Sequence, residues 1–259
     1  MVVEGIETSL DSVLGGLLKI RQPRGGYRFS VDSILLARFA HARRRDRVLE
    51  LGAGCGVVAA IIAKLHIPLE VTALEIQPGL AQLCAANAAM NSLDSMRTIC
   101  ADLRARSISG IESGAYDIVV ANPPYHEPKT GRESPNDSRR IARGGEGANV
   151  EEFVRAAGRY LREGGRAYFV FSAYRCADII AAMRAAGLEP KRMRFVHPRA
   201  DLRASSVLIE ARRGGGAETI VEPPLGLYEA PGIYTIEATQ ILGSVERTRR
   251  GAPAAPDIL

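Results

Sequence analysis

No apolar run in this 259-residue sequence approaches the length of a membrane-spanning helix, about 18 residues. Met1–Leu10 carries neither a basic start nor an apolar stretch, so no secretory leader is expected and the chain reads as cytoplasmic. Cysteine is scarce. Cys55, Cys84, Cys100 and Cys176 form no CxxC pair, and His41, His66, His126 and His197 do not cluster with them. That pattern offers no metal site and no redox dithiol, and it predicts four small buried hydrophobes without disulfides. Lysine is nearly absent: of 34 basic residues only Lys19, Lys64, Lys129 and Lys191 are lysines. Arginine binds phosphate in a bidentate fork and stacks on bases, so this bias and the net charge of +5 suit a nucleic-acid partner without requiring one. With 46% hydrophobic and 24% charged residues, the composition fits one globular domain, or one with appendages.

From Arg47 onward, short apolar runs alternate with helical patterns, the signature of stacked βα units and a mostly parallel sheet. Strands are expected at 47–51, 69–75, 96–100, 116–121 and 166–171, with helices after Gly56, from Pro78 to about Met90, over 150–161 and over 174–186. Two final strands, about 190–197 and 205–211, have no helix-length segment between them and should pair as an antiparallel hairpin at the sheet edge. The result is a seven-stranded α/β fold with an antiparallel last strand and helices on both faces. Residues 1–46 should add a hairpin around Gly25-Gly26 and a helix, 31–40, capped by Ser30. Residues 213–259 form a C-terminal extension with strand-like pieces near 218–221 and 233–236 and a disordered tail. This divides the chain into an N-terminal extension (1–46), a central domain (47–212) and a C-terminal extension (213–259). The polar stretch 126–147 has no periodicity and reads as a long loop.

Three segments carry chemistry. In Glu50-Leu51-Gly52-Ala53-Gly54-Cys55-Gly56 a strand runs into a glycine turn that opens a helix. Glycines let backbone approach a ligand, and the helix start offers free N–H groups. A dinucleotide loop needs a small residue where Val57 stands, and Val57 would crowd a pyrophosphate. The E-x-G-x-G-x-G pattern instead resembles the S-adenosylmethionine loop of Rossmann-like methyltransferases, whose cationic methionine end suits an acid at Glu50. Second, Glu75 and Asp102 follow the next two strands. A carboxylate at Glu75 can accept both ribose hydroxyls of a nucleoside, and one at Asp102 can hold an adenine amino group. Third, Asn122-Pro123-Pro124-Tyr125 follows the fourth strand. The Asn122 amide oxygen and the Pro123 carbonyl can receive both hydrogens of a planar amino group, drawing its lone pair out of conjugation toward an electrophile. Tyr125 offers a flat face for stacking a base, a contact of about 1–3 kcal/mol.

Together, Glu50–Gly56 and Asn122–Tyr125 resemble the methyltransferases that modify adenine N6, guanine N2 or glutamine amide nitrogens. Residues 26–33 (Gly-Tyr-Arg-Phe-Ser-Val-Asp-Ser), Ile141-Ala142-Arg143, 194–199 (Arg-Phe-Val-His-Pro-Arg) and Gly232-Ile233-Tyr234-Thr235 narrow the match. They resemble the bacterial family that methylates adenine N6 in a valine tRNA anticodon loop. The resemblance implies cofactor contacts at Phe29, Glu50, Gly52, Ala53, Gly54, Glu75, Ile76, Asp102, Leu103 and Asn122. It implies recognition of the target base at Asn122, Pro123 and Tyr125, with tRNA as partner and no metal. Other amino substrates, such as rRNA guanine or a protein glutamine, stay open, as does a non-catalytic RNA-binding module on the same fold. His126 reads as a surface-loop histidine, since loss of a proton from a methylated amino cation needs no base. Arg43-Arg44-Arg45, and Arg139-Arg140 with Arg143, are candidates for phosphate contacts.

Overall fold

Strands rich in Val, Ile and Leu on both of their alternating faces demand cover on both sides, and the fold supplies it. The computed structural model describes residues 2–3, 6–25, 28–68, 70–124 and 148–243. Among them, the central sheet is built from β4 (Arg47–Leu51), β5 (Glu70–Glu75), β6 (Met96–Cys100), β7 (Tyr116–Ala121), β8 (Leu161–Ser172), β9 (Leu188–His197) and β10 (Ser206–Arg213). Val48, Val71, Ile118 and Val170 point to one face, while Leu49, Leu74, Val119 and Phe169 point to the other. The first face is covered by α1 (Val31–Phe39), α2 (Val57–His66) and α3 (Pro78–Met90). The second is covered by α4 (Val150–Tyr160) and α5 (Cys176–Ala185).

The spatial order is β9-β10-β8-β7-β4-β5-β6, with β10 antiparallel to both neighbours. The last two strands do pair antiparallel on one side of the sheet, as their short connection predicts, with β9 outside and β10 inside. The crossover through α5 carries the chain one strand position past β8, and β10 turns back into the slot left between them. Two further strands, β11 (Ile220–Val221) and β12 (Leu225–Gly226), pair in parallel along β9, so the sheet has nine strands rather than seven.

β8 begins five residues before the expected start. Tyr116 faces Leu161 and Ile118 faces Arg166, so residues 162–165 bulge out between them. A Cβ at Gly165 would lie 2.9 Å from the Arg162 carbonyl oxygen and 3.2 Å from that of Asp117. Gly164 and Gly165 therefore lie in a bulge inside the strand. α4 opens on a capping box: Asn149 accepts from the Glu152 N–H at 2.9 Å, and the Glu152 carboxylate accepts from the Asn149 N–H at 2.9 Å.

The N-terminal hairpin joins β2 (Ile6–Val13) to β3 (Leu18–Pro23), with a two-residue strand β1 (Val2–Val3) beside β2. Its turn is Leu14–Leu17, with positive φ at Leu14, Gly15 and Gly16, not the neighbourhood of Gly25-Gly26. β3 docks on α3 through two asparagines one helical turn apart. Asn87 accepts from the Arg21 N–H (2.8 Å) and donates to the carbonyls of Arg21 (2.8 Å) and Cys55 (2.9 Å). Asn91 does the same for Lys19. The helix side chains thus stand in for a neighbouring strand.

The C-terminal extension adds β13 (Tyr228–Ala230), β14 (Ile233–Tyr234) and α6 (Ile236–Leu242). The apolar pattern near 233–236 predicts strand up to residue 236. Instead Thr235 caps a helix there, accepting from the Ala238 N–H at 3.1 Å. Ala238 and Leu242 join the same apolar cluster as Leu35 and Ile20. Cys55 and Cys84 are buried as expected, but Cys100 is exposed at the end of β6 and Cys176 is half-buried at the start of α5.

Candidate active site

Parallel strands end on one edge of the sheet, so residues placed at strand ends converge there. Glu50 is the penultimate residue of β4, Glu75 the last of β5, Asp102 lies two past β6, and Asn122 follows β7 directly. Between β4 and α2 the backbone adopts positive φ at Gly52 (68°), Gly54 (57°) and Gly56 (81°). Gly52 also needs its small size: a Cβ there would lie 2.9 Å from the Phe153 ring. The loop is tied to the sheet by the Ala53 N–H, which donates to the Leu74 carbonyl at 2.9 Å.

Glu50 is buried, and one oxygen accepts from the Ala59 N–H at 2.8 Å, capping the first turn of α2. Burial pushes its carboxyl from 4.5 up to about 8; the Ala59 N–H pulls the other way and the nearby Glu75 adds to the rise. Glu75, also buried, joins two loops. Its Oε2 accepts from the Gly54 N–H (2.8 Å) and its Oε1 from the Gln77 N–H (2.9 Å). A carboxylate has about four lone-pair sites, so both oxygens keep capacity for further donors.

Asp102 is held by its own loop. Arg104 donates from Nε to both carboxylate oxygens (3.0 and 2.9 Å) and from its backbone N–H (2.8 Å), and this grip lowers the carboxyl below its usual range. Leu103 is buried, whereas Ile76 is 51% exposed at the end of β5, an apolar surface beside the Glu75 loop. Ala101 and Glu75 are linked by a backbone bond of 3.0 Å, which brings the β5 and β6 ends together. Phe29 is half-buried, and its N–H donates to Gln22 Oε1 at 3.1 Å, anchoring the lead into α1 on the hairpin.

The Asn122 side chain donates from Nδ2 to Ser33 Oγ at 3.2 Å; among the described residues no donor reaches its Oδ1. Pro123 is buried and Pro124 exposed. Tyr125, the loop to residue 147 with His126 and the Arg139-Arg140-Arg143 cluster, residues 26–27 and the tail beyond 243 lie outside the described residues. Arg43, Arg44 and Arg45 are exposed on the opposite edge, at the entry to β4. Two partners in this region lie beyond the reach of local sequence patterns. Ser33 stands 89 positions from Asn122, and no local spacing reveals the pairing. Asn87, a poor helix former in an alanine-rich helix, was the more visible signal.

An open sheet in this order, with its ligand-competent loops on the carboxyl edge, is the Rossmann-like methyltransferase fold. A predicted O-methyltransferase from Agrobacterium tumefaciens superposes with a TM-score of 0.66 at 22% identity, over 81% of this chain and 94% of that one. M. jannaschii TYW2, in complex with AdoMet, gives 0.54 at 15% identity, over 82% and 88%. The chain belongs to the methyltransferase small domain family, whose model matches residues 30–184. Similar sequences include the tRNA1(Val) (adenine(37)-N6)-methyltransferases of Dyadobacter fermentans, 24% identical over 83% of this chain and 88% of that protein. That of Aeromonas hydrophila is 25% identical over 84% and 89%. No helix among the described residues is long and apolar enough to cross a membrane.

Proposed function

We propose that the protein is an S-adenosylmethionine-dependent methyltransferase that acts in the cytoplasm on an adenine N6 in tRNA. The observation that carries this reading is the Asn122 carboxamide at the end of β7, tied by its amino end to Ser33 on the same sheet edge as the glycine loop and Glu75. The relatives named as tRNA adenine N6-methyltransferases support the substrate.

The residues present fit the cofactor. Glu75 retains acceptor capacity for two ribose hydroxyls, Ile76 and Leu103 offer apolar faces for an adenine, and Asp102 an acceptor at its edge. Glu75 and Asp102 disfavour a pyrophosphate, and Glu50 gains its charge when a cation lies beside it. When bound, S-adenosylmethionine supplies a methyl group on a sulfonium, open to in-line displacement. The chain supplies positioning and exclusion of water rather than a covalent nucleophile. Asn122 Oδ1 and the Pro123 carbonyl accept the two amino hydrogens and aim the nitrogen lone pair at the methyl carbon. With the cofactor bound, the new N–C bond would form as the C–S bond breaks, and the proton left on nitrogen would pass to solvent once the product leaves the site. Tyr125 holds the unstacked base by its face, and a single-stranded anticodon loop lowers the cost of bringing that base out.

Methyl transfer from labelled cofactor to bulk unmodified tRNA, rRNA and protein extract tests the reading, with nucleoside analysis of the product. N6-methyladenosine in tRNA is expected; transfer to protein or rRNA alone would overturn it. Asn122→Ala should lower single-turnover transfer by about 10²–10³, roughly 2.7–4 kcal/mol, by analogy with loss of one preorganised hydrogen-bonding group. Tyr125→Ala should rank next and Tyr125→Phe least, with little change in cofactor affinity for either.

A further inference from the structure

Asparagine is an ambiguous group at a catalytic turn. A half-rotation of its terminal torsion exchanges the carbonyl oxygen for the amino group with almost no change of shape. Only the oxygen can receive a hydrogen from an incoming amino group; the amino end would set hydrogen against hydrogen. Neighbouring backbone N–H groups could decide the orientation, but the next two residues are Pro123 and Pro124, and neither has an N–H. The choice falls to side chains.

Ser33 lies 3.2 Å from Asn122 Nδ2 and accepts its hydrogen. It is 1% exposed, the third residue of α1, with its N–H on the Ser30 carbonyl at 3.1 Å. A hydroxyl oxygen has two lone pairs, so Ser33 Oγ can receive the Nδ2 hydrogen while its position is fixed by the first turn of α1. The adjacent Asp32 accepts from Ser206 Oγ at 3.0 Å. The first turn of α1 is therefore fastened to the start of β10 as well as to the residue that follows β7.

We infer that Ser33 is a positioning residue: it holds the Asn122 carboxamide with the oxygen turned toward the substrate amino group. This rests on the proposed transfer to an amino nitrogen and adds how the acceptor is oriented. A neutral hydrogen bond of ordinary strength corresponds to about 2- to 10-fold in an equilibrium. Its loss should lower kcat by about that factor and leave the KM for S-adenosylmethionine unchanged.

The test is a double-mutant cycle in single-turnover transfer to unmodified tRNA, with enzyme in excess. Ser33→Ala should slow transfer about 2- to 10-fold when Asn122 is present and change little in the Asn122→Ala background, while Ser33→Thr restores most of the rate. Ser33→Cys, similar in size but a weak acceptor, carries the same comparison should the alanine variant fold poorly. Equal losses in both backgrounds would overturn the role of Ser33 and leave the methyltransferase reading intact. A second measurement needs no substrate. In labelled protein, nuclear Overhauser contacts between the Asn122 side-chain amide protons and the Ser33 β-protons are expected, and their absence would overturn the inference. A wild-type protein that methylates no RNA would instead overturn the functional reading.

Discussion

Glu50, which we propose faces the cationic end of the cofactor, links its own protonation to both folding and binding. It is buried, with its carboxyl pushed up to about 8 by desolvation. Below its ordinary value of 4.5 the folded and unfolded chains both hold the proton. Between 4.5 and about 8 the unfolded chain loses the proton while the folded chain keeps it, so this residue's contribution to stability falls as pH rises across that window. Above it the loss is complete. Glu50→Gln cannot ionise, so thermal melts should show the wild-type protein losing stability relative to the variant from acid to mildly basic pH, then no further. A cationic ligand favours the ionised form. Calorimetry should therefore find S-adenosylmethionine affinity rising with pH through the same window in the wild type, with proton release, and flat in Glu50→Gln. An identical pH profile for both would remove Glu50 from the cofactor's surroundings.

At the scale of elements, the glycine turn does two separable jobs. Gly52 and Gly54 shape the loop that Glu75 holds through the Gly54 N–H. Gly56 serves packing: its φ is 81°, and a Cβ would run into Cys84 Sγ and lie 3.0 Å from the Met96 side chain. α3 and β6 can approach the start of α2 because nothing projects there. Gly56→Ala should lose about 2–4 kcal/mol of stability, from overpacking and a left-handed backbone together. Gly216→Ala, with nothing within 4 Å, should stay within about 0.5 kcal/mol of wild type. Urea titrations of both variants check this, and similar midpoints would refute the packing role of Gly56.

Across the whole molecule, both terminal extensions pack on the sheet face that carries α1. Val13, Leu18 and Ile20 of the hairpin and Ala238 and Leu242 of α6 belong to one apolar cluster with α1 and α2. They also meet each other, since a Cβ at Gly243 would lie 2.9 Å from Leu14 Cα. Asn87 is the polar fastener of this arrangement. Asn87→Ala would strip partners from the Arg21 N–H and from the Arg21 and Cys55 carbonyls, a loss of about 2–5 kcal/mol by chemical denaturation. A loss under about 0.5 kcal/mol would mean water replaces it. The basic charge of the whole chain predicts RNA binding that weakens with salt. Arg139→Ala and Arg140→Ala should each flatten that dependence by about one phosphate equivalent without altering cofactor affinity.

Short apolar runs alternating with helical spacing were enough to place β4, β6, β7 and α3, because strands covered on both faces are apolar throughout. The glycine loop, the strand-end acids and the Asn-Pro-Pro turn were equally legible, since topology sends every parallel strand end to one edge. The tertiary structure alone decided where β10 inserts, because strand order depends on which slot the α5 crossover leaves open. It also moved the hairpin turn to Leu14–Leu17 and converted residues near 236 into a helix, where burial against α1 outweighed local strand preference. The partners of the site residues belong to this second group. Ser33 reaches Asn122 and Asn87 reaches Arg21 through hydrogen bonds 89 and 66 positions apart, and geometry at that range exists only once both sheet faces are covered.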